Sequence, residues 1–290
     1  MKNLDLSTLP AKKRKQIVSC LRAGIQLLYF LFLPSVFTAA FNGVKYIFTQ
    51  LGQGEKIEMT AFVSALLLVC AFTIVFGRFF CGFACAFGSL GDAMHAIYGI
   101  ICKKRKKKPR RIKPELAKKL ALVKYGILLL IALCCFAGVY QKARGTSPWD
   151  VFSMLHAGNF RLSSYIPGIV LLVLILVGMF FEERFFCRFL CPMGAVFSLL
   201  PILPFFTLHR KRENCIRGCS ACTRQCPSAV ELPSDGSVEI SGGCFQCQKC
   251  IDTCPKGNIR CGVKEFHGNE ILFTLFRAVF LLTLLLWAGI

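Results

Sequence analysis

Five apolar stretches divide this 290-residue chain, and each is long enough to cross a lipid bilayer. A membrane-spanning helix needs about 20 apolar residues, and the stretches cover residues 17–40, 58–77, 121–139, 165–182 and 271–290. Pro34 lies inside the first stretch and is expected to kink it. Residues 86–102 and 192–208 are also apolar, but Gly, Asp, His and Pro interrupt them, which predicts helices at the membrane interface. The chain is therefore predicted to be mainly α-helical, as a polytopic transmembrane bundle.

The basic residues predict how this bundle is oriented. The chain has 36 Lys and Arg against 15 Asp and Glu, a net charge of +21. With five spans, 28 of the 36 basic residues fall on one side, while the outer loops at 41–57 and 140–164 hold only 5. The side rich in Lys and Arg is the cytoplasmic one, so we expect a multi-pass inner-membrane protein with a cytoplasmic N-terminus. The basic run at 103–113 is expected to anchor this topology at anionic lipid, and no nucleic acid partner is predicted.

One motif occurs twice along the chain. Residues 77–89 read GRFFCGFACAFGS and residues 183–195 read ERFFCRFLCPMGA, so both contain Arg-Phe-Phe-Cys-x₃-Cys. Each motif follows two predicted spans, so the two units keep one orientation and form a parallel two-span repeat. The cysteines of the two motifs are therefore expected at the same membrane edge.

A polar segment at 209–262 carries two further runs of four cysteines, each closed by a proline. The second run has the C-x₂-C-x₂-C-x₃-C-P spacing of bacterial two-cluster ferredoxins, in which the fourth cysteine of a run ligates the other cluster. We therefore predict two [4Fe–4S] clusters in a small α+β domain. The predicted ligands are Cys215, Cys219, Cys222 and Cys254 for one cluster, and Cys226, Cys244, Cys247 and Cys250 for the other. The alternative is structural zinc, which is usually bound by two C-x₂-C pairs. The Asp235-Gly236 pair between the runs predicts a β-hairpin.

The motif cysteines predict a further centre at the membrane edge. In an α-helical turn, C-x₃-C spacing places both thiols on one face, and two such pairs supply the four thiolates that an iron–sulfur cluster needs. The predicted ligands of this third iron–sulfur cluster are Cys81, Cys85, Cys187 and Cys191. Arg78, Arg184 and Arg188 are expected to offset the thiolate charge. The alternatives are packing cysteines, a disulfide or a mononuclear metal.

These observations divide the chain into three parts. Residues 1–208 are predicted to form a membrane domain with four spans and two repeats. Residues 209–262 form a cytoplasmic ferredoxin-like domain with two [4Fe–4S] clusters, and residues 263–290 form a C-terminal transmembrane helix.

Two Arg-Phe-Phe-Cys-x₃-Cys motifs followed by a two-cluster ferredoxin segment resemble the NapH/NosR/CcoG family of membrane-bound iron–sulfur proteins, over about residues 60–262. The resemblance implies a protein that relays single electrons between a cytoplasmic or quinol donor and a redox partner at or across the membrane. It implies a flavoprotein, cytochrome or reductase as the partner subunit and quinone as a further cofactor. The chain would then be a quinol dehydrogenase or the electron-transfer subunit of an oxidoreductase complex.

The chain departs from the family pattern in two places. Ala86 follows the second cysteine of the first motif, where Cys-Pro is common in the family, and residues 263–290 add a terminal span. CcoG-like and NosR-like members imply an alternative function, a redox-dependent assembly or regulatory factor for a metalloenzyme.

Overall fold

The structure is a computed structural model that describes residues 11–107, 109, 111–140, 145–160, 163–203, 206–261 and 270–289. Its α-helices are α1 (Ala11–Phe32), α2 (Val36–Gln53), α3 (Ala61–Phe76), α4 (Ala86–Lys104), α5 (Pro114–Leu120), α6 (Val123–Phe136), α7 (Pro148–His156), α8 (Ile166–Phe181), α9 (Pro192–Leu199), α10 (Ala221–Gln225), α11 (Lys249–Thr253) and α12 (Glu270–Trp287). The described chain also contains two π-helical turns, π1 (Phe80–Ala84) and π2 (Phe186–Leu190), two 3₁₀ turns (Ser163–Tyr165 and Arg212–Asn214), and three strands, β1 (Leu208–Lys211), β2 (Asp235–Val238) and β3 (Ile259–Cys261). The predicted cytoplasmic N-terminus at 1–10 and the domain boundary at 262–263 lie outside the described residues.

The apolar helices agree with the predicted spans in part. Among the described residues, Glu115–Phe136 and Ser163–Phe181 are long and apolar enough to cross a membrane. The pair Gln16–Phe32 and Val36–Gln53 passes the same test as one broken unit, bent by 60°. Two or three such helices indicate membrane association. The helices Ala61–Phe76 and Ile271–Trp287 are apolar but shorter, so the count of five spans stays a prediction.

The bend between α1 and α2 corrects one predicted loop. The kink expected at Pro34 is confirmed, since α1 ends at Phe32 and α2 begins at Val36. The loop expected at 41–57 is wrong for residues 41–53, because α2 continues to Gln53, and only residues 54–57 are non-helical. Its position on the outer side stays a prediction. An apolar face at positions i, i+3, i+4 and i+7 packs along α3 and favours this longer helix. Its buried side chains are Phe37, Ala40, Phe41 and Val44.

One apolar core holds the helices together and contains both repeated motifs. α1 contacts π1 and α4, α4 contacts α8, and α6 contacts π2 and α9. The rings of Phe79, Phe87 and Phe186 are fully buried there. The outer face of α6 is apolar but exposed, with Leu129 and Leu130 at 60% and 62%. An apolar outer face of this kind is expected of a helix in contact with lipid.

The polar segment folds around a small antiparallel sheet in the order β2-β1-β3. The hairpin expected at Asp235-Gly236 is wrong, because these residues begin β2, which pairs with β1. The Asp235 carboxylate accepts hydrogen bonds from Ser237 N at 2.9 Å and Ser237 Oγ at 2.6 Å. These bonds are local to the start of β2 and do not join a second strand within residues 231–240.

Buried polar contacts join this segment to the helices. Gln248 Nε2 donates to Thr274 Oγ1 on α12 at 2.9 Å. Arg22 on α1 forms an ion pair with Asp252 on α11 at 3.4 Å. The polar segment is therefore fixed against the helical bundle from two sides.

Candidate metal centres

The eight cysteines of the polar segment line two adjacent cavities. One cavity is lined by Cys215, Cys219, Cys222 and Cys254. The other is lined by Cys226, Cys244, Cys247 and Cys250, together with Cys222. Each cavity therefore combines three cysteines of one run with the fourth cysteine of the other, since α10 and α11 contact each other and bring the runs side by side. The grouping is the one predicted from the spacing, and metal ligation by these residues stays a prediction.

Hydrogen-bond donors point at several of these sulfurs. Arg210 Nη1 donates to Cys222 Sγ at 3.2 Å. Asn258 donates to Cys254 Sγ from its backbone N at 3.3 Å and to Cys215 Sγ from Nδ2 at 3.4 Å. Donors at sulfur favour the thiolate over the thiol, and hydrogen bonds of this kind also adjust the potential of a bound cluster.

Burial has the opposite effect on the thiols of the second cavity. It raises the pKa of Cys226 to about 11 and raises the pKa values of Cys244 and Cys250 well above their usual range. Buried thiols of this kind ionise when they coordinate a metal, whose positive charge holds the thiolate. The donor set therefore fits an iron–sulfur cluster.

The two membrane-edge motifs share one backbone conformation. Phe80–Ala84 and Phe186–Leu190 each form a π-helical turn, and the second cysteine of each motif donates its N–H to the carbonyl five residues earlier at 2.9 Å. The α-helical turn expected for C-x₃-C is therefore wrong. The turn is wider because the second cysteine leaves the helical conformation, with φ −71° in both motifs and ψ 121° or 114°, to begin the next helix.

Cys85 and Cys191 are the N-cap residues of α4 and α9. The backbone N of Gly194 donates to Cys191 Sγ at 3.1 Å, whereas the side chain of Cys85 accepts no bond of this kind at the start of α4. The N-terminus of a helix carries a partial positive charge. Both second cysteines therefore sit where a thiolate is favoured.

All four motif thiols are buried, and they lie near one another. Their exposed fractions lie between 4% and 6%. Cys85 is within electrostatic range of Cys81 and Cys187, and Cys191 is within range of all three others. Residues 106 positions apart in the chain therefore converge. No disulfide joins any described cysteine, and no three His, Cys, Asp or Glu side chains of the described chain surround the position of a single metal ion.

Arg184 of the second motif reaches across to the first. Its side chain is 1% exposed, and it donates to Cys81 O and, at 2.9 Å, to Gly82 O. Its Nε and Nη2 atoms donate to the Asp92 carboxylate of α4 at 2.9 Å and 2.5 Å. Burial alone would raise the pKa of Asp92, but Arg184 and Lys249 lower it to about 2. Asp92 is therefore ionised and offsets the charge of the buried guanidinium.

The other two predicted arginines have different partners. Arg78 donates from Nη1 to Gly242 O at 2.7 Å and from Nη2 to Cys81 Sγ at 3.9 Å, so it does face a motif thiol. The expectation for Arg188 is wrong. Its guanidinium pairs with the Glu182 carboxylate at the end of α8, at 3.1 Å, because this full charge lies closer than the thiols.

Two glycines make room for the arginines. A Cβ atom at Gly88 would lie 2.5 Å from Arg184 Nη1, and a Cβ atom at Gly194 would lie 3.2 Å from Arg78 Nη2. The arginine of each motif therefore covers the glycine of the other motif. Such a reciprocal contact is expected of two units related by a two-fold axis.

Residues 242–249 connect the motif thiols with the second cavity. The Phe245 ring is 3% exposed and lies 4.6 Å from the Arg78 guanidinium carbon and 5.8 Å from that of Arg184. Arg184 is within electrostatic range of both Cys187 and Cys247. The four-thiol group and the second cysteine cavity are therefore neighbours.

The polar residues around Arg184 were not predicted from the sequence. Lys249 Nζ contacts Glu183 and lies 3.9 Å from Asp92 Oδ1, and Gln26 Nε2 donates to Asp92 Oδ2 at 2.8 Å. The sequence contains one indication of these contacts, because Asp92 is the only acidic residue between positions 59 and 114. A lone acid in an apolar region is expected to have a partner or a function.

Comparison with known proteins connects these motifs to iron–sulfur binding. The model of a 4Fe-4S binding domain family matches residues 59–109 and 166–207. Each matched stretch contains one Arg-Phe-Phe-Cys-x₃-Cys motif, and the polar segment with its eight cysteines lies beyond both.

Several curated proteins are similar along most of the chain. An uncharacterized protein of Methanocaldococcus jannaschii is 30% identical over 207 residues, which cover 70% of this chain and 71% of that protein. The ferredoxin-type protein NapH of Haemophilus influenzae is 23% identical over 72% of this chain and 70% of NapH. The regulatory protein NosR of Pseudomonas aeruginosa is 23% identical over 69% of this chain and 27% of NosR. No solved structure matches.

Apolar helices, cysteine-lined cavities and the motifs of a 4Fe-4S binding domain define a membrane-associated iron–sulfur electron-transfer protein. The chain belongs to the NapH/NosR-type 4Fe-4S ferredoxin family, which confirms the family predicted from its motifs.

Proposed function

We propose that this protein relays single electrons through three iron–sulfur centres, between a cytoplasmic or quinol donor and a redox partner at or across the membrane. One observation carries the proposal: residues 242–249 bring the second cysteine cavity against the four buried motif thiols. Iron–sulfur clusters, when bound, accept and release single electrons. Such a relay requires clusters that lie next to one another, and neighbouring groups of cysteine thiols would hold them in this arrangement.

The proposed ligands form three sets of four thiolates. Two sets belong to [4Fe–4S] clusters, and the third, at the membrane edge, suits either a [2Fe–2S] or a [4Fe–4S] cluster because both take four cysteines. The sets are Cys215, Cys219, Cys222 and Cys254; Cys226, Cys244, Cys247 and Cys250; and Cys81, Cys85, Cys187 and Cys191. The two cavities and the convergence of the motif thiols support this assignment.

The other residues around the third set would stabilise and shield it. The guanidinium groups of Arg78 and Arg184 offset the negative charge of the thiolates. The helix N-termini at Cys85 and Cys191 add partial positive charge, and Gly194 N donates to Cys191 Sγ. Buried phenylalanine rings surround the group and exclude water. Ligation, burial and hydrogen bonding are the means by which a protein sets the potential of a cluster.

We further propose that the polar segment faces the cytoplasm, on the evidence of the basic residues. A reporter fused after Lys256 is then expected in the cytoplasm, and one fused after Gly145 outside. A fusion at Lys256 that reports outside would reverse the donor side of the relay.

A second candidate function is a redox-dependent assembly or regulatory factor for a metalloenzyme. The similarity to NosR, which is named a regulatory protein, favours it. Two experiments separate the two functions. Reduction of the clusters of the purified protein by a quinol analogue supports the relay, whereas a deletion strain that loses only the maturation of another metalloenzyme supports the assembly factor.

The ligand sets are tested by single Cys→Ser variants of the anaerobically purified protein. Cys254→Ser should remove the EPR signal of the cluster assigned to Cys215, Cys219 and Cys222, and leave that of the cluster beside Cys250. Cys261→Ser is the matched control, since Cys261 is buried in the same segment but lines neither cavity. Loss of the signal associated with Cys250 in the Cys254→Ser variant would refute the crossed ligation.

A further inference from the structure

A solvent-open cavity of about 120 Å³ lies between the α5–α6 region, π2 and the polar segment. Four of its lining side chains are basic, namely Arg78, Lys118, Lys124 and Arg188. No acidic side chain is among the residues of the described chain that line it. A concave surface with cations on several sides concentrates positive potential and attracts an anion.

Two of the four cations already have partners. Arg188 is paired with Glu182 at 3.1 Å. Arg78 donates to Gly242 O at 2.7 Å and to Cys81 Sγ at 3.9 Å. Cys81 therefore compensates part of the positive charge of Arg78, and the Glu182 carboxylate compensates that of Arg188.

The two lysines have no carboxylate partner. Within the described part of the chain, no salt bridge includes Lys118 or Lys124. Lys124 is only 6% exposed; burial disfavours its charge and the neighbouring Arg78 repels it, while Cys191 and Cys81 offset part of this cost. A buried ammonium beside a like charge is costly unless an anion compensates it.

The cavity wall also contains polar atoms that are free to bind a ligand. Arg78 Nε and Ser228 Oγ are buried, and neither has a hydrogen-bond partner among the described residues. Ala229, beside Ser228 in the wall, has φ +52°, which is an uncommon conformation for a residue other than glycine. Strained backbone of this kind is concentrated at binding sites.

A lipid-facing surface continues directly from the cavity. Lys118 and Lys124 lie on the apolar helix Glu115–Phe136, of which only 11% is buried. Leu129 and Leu133, further along the same helix, are 60% and 58% exposed. A lipid whose acyl chains cover this face would bring its headgroup to the basic cavity.

We propose that this cavity binds the phosphate of an anionic phospholipid whose acyl chains lie along α6. Lys118 and Lys124 contact the phosphate, and Arg78 Nε and Ser228 Oγ donate to it. Basic pockets between membrane helices are known to hold anionic headgroups. The cavity wall comes from both the helices and the polar segment, so the bound lipid joins the two parts of the chain beside Cys187.

Native mass spectrometry of the full-length protein, delipidated in detergent, tests the proposal. Phosphatidylglycerol is titrated in one series and zwitterionic phosphatidylcholine in another. The wild type is expected to bind one phosphatidylglycerol molecule at a saturable site. Lys118→Gln with Lys124→Gln should weaken this binding roughly 30-fold, or about 2 kcal/mol at about 1 kcal/mol for each lysine.

Lys103→Gln with Lys104→Gln is the matched control, because it removes the same charge from exposed positions at the end of α4. Binding in this control should stay within threefold of the wild type. If the variant at Lys118 and Lys124 does not fold, the single change at exposed Lys118 decides, with roughly fivefold weaker binding expected.

Three results would overturn the proposal. The first is equal phosphatidylglycerol binding by the wild type and the Lys118 and Lys124 variants. The second is equally tight binding of phosphatidylcholine. The third is full displacement of the lipid by millimolar inorganic phosphate, which would assign the cavity to a free anion.

Discussion

A single methyl group at Gly88 is expected to disturb the contact between the two motifs. The Cβ atom of an alanine there would lie 2.5 Å from Arg184 Nη1 and 2.7 Å from the backbone oxygen of Cys81. Real side chains do not approach so closely, so Arg184 must move away from Cys81 O, to which it donates. Gly88→Ala therefore acts on the four-thiol group without replacing a cysteine or an arginine.

The size of the effect follows from a comparison with a second glycine of the same helix. Gly99, also on α4, has no atom within 4 Å of the position of a Cβ. Both changes gain helix propensity, up to about 1 kcal/mol. Only Gly88→Ala overfills a packed site, which costs about 1–3 kcal/mol. At about 2–4 °C for each kcal/mol, the apparent Tm of Gly88→Ala should lie about 2–12 °C below that of Gly99→Ala.

The assay is thermal unfolding of both variants and the wild type in one detergent, followed by circular dichroism. The visible and EPR spectra provide a second reading, since the Gly88→Ala change should alter the signal of the membrane-edge centre and Gly99→Ala should not. Equal Tm values and identical spectra for the two variants would show that Arg184 does not bind the first motif as described.

Two further changes test the contacts around the motifs. Asp92→Asn leaves the buried Arg184 without its counter-charge and should lower the free energy of unfolding by about 3–5 kcal/mol, while Glu115→Gln at an exposed position should change it by less than about 0.5 kcal/mol. The pKa of Asp92 is lowered to about 2, so the stability that its carboxylate contributes is complete above about pH 4 and is lost towards pH 2. In denaturant titrations, the difference in unfolding free energy between the wild type and Asp92→Asn should therefore narrow from about pH 4 to about pH 2. A difference that stays constant over this range would contradict the ion pair. Gly242→Ala places a Cβ 2.6 Å from Ser198 Cα and should loosen the polar segment, which limited proteolysis would detect as faster cleavage than in the wild type.

The sequence predicted the elements that depend on spacing. A short C-x₂-C loop holds its two thiols close together, and the two described cavities each contain one predicted set of four cysteines, with Cys222 lining both. Cluster ligation by these sets stays a prediction. The repeated motif likewise predicted that Cys81 and Cys187 would meet.

Other features depend on contacts that spacing does not encode. The π-helical turns arise because Cys85 and Cys191 cap the following helices, which no pattern of apolar residues indicates. Arg188 has the same motif position as Gly82, and only the fold reveals that Glu182 lies within its reach. The helical conformation of residues 41–53 depended on an apolar face against α3, which the low overall hydropathy of that stretch concealed.

Iron and acid-labile sulfide analysis of the full-length protein tests the central claim most directly. With three centres, the anaerobically purified wild type should contain about 10–12 iron atoms per chain, and Cys85→Ser with Cys191→Ser should contain about eight with matching sulfide. Cys134→Ser with Cys135→Ser, in α6 and outside all three sets, is the control and should match the wild type. A wild type with about eight iron atoms, unchanged by the Cys85 and Cys191 substitutions, would contradict a third iron–sulfur centre at the membrane edge.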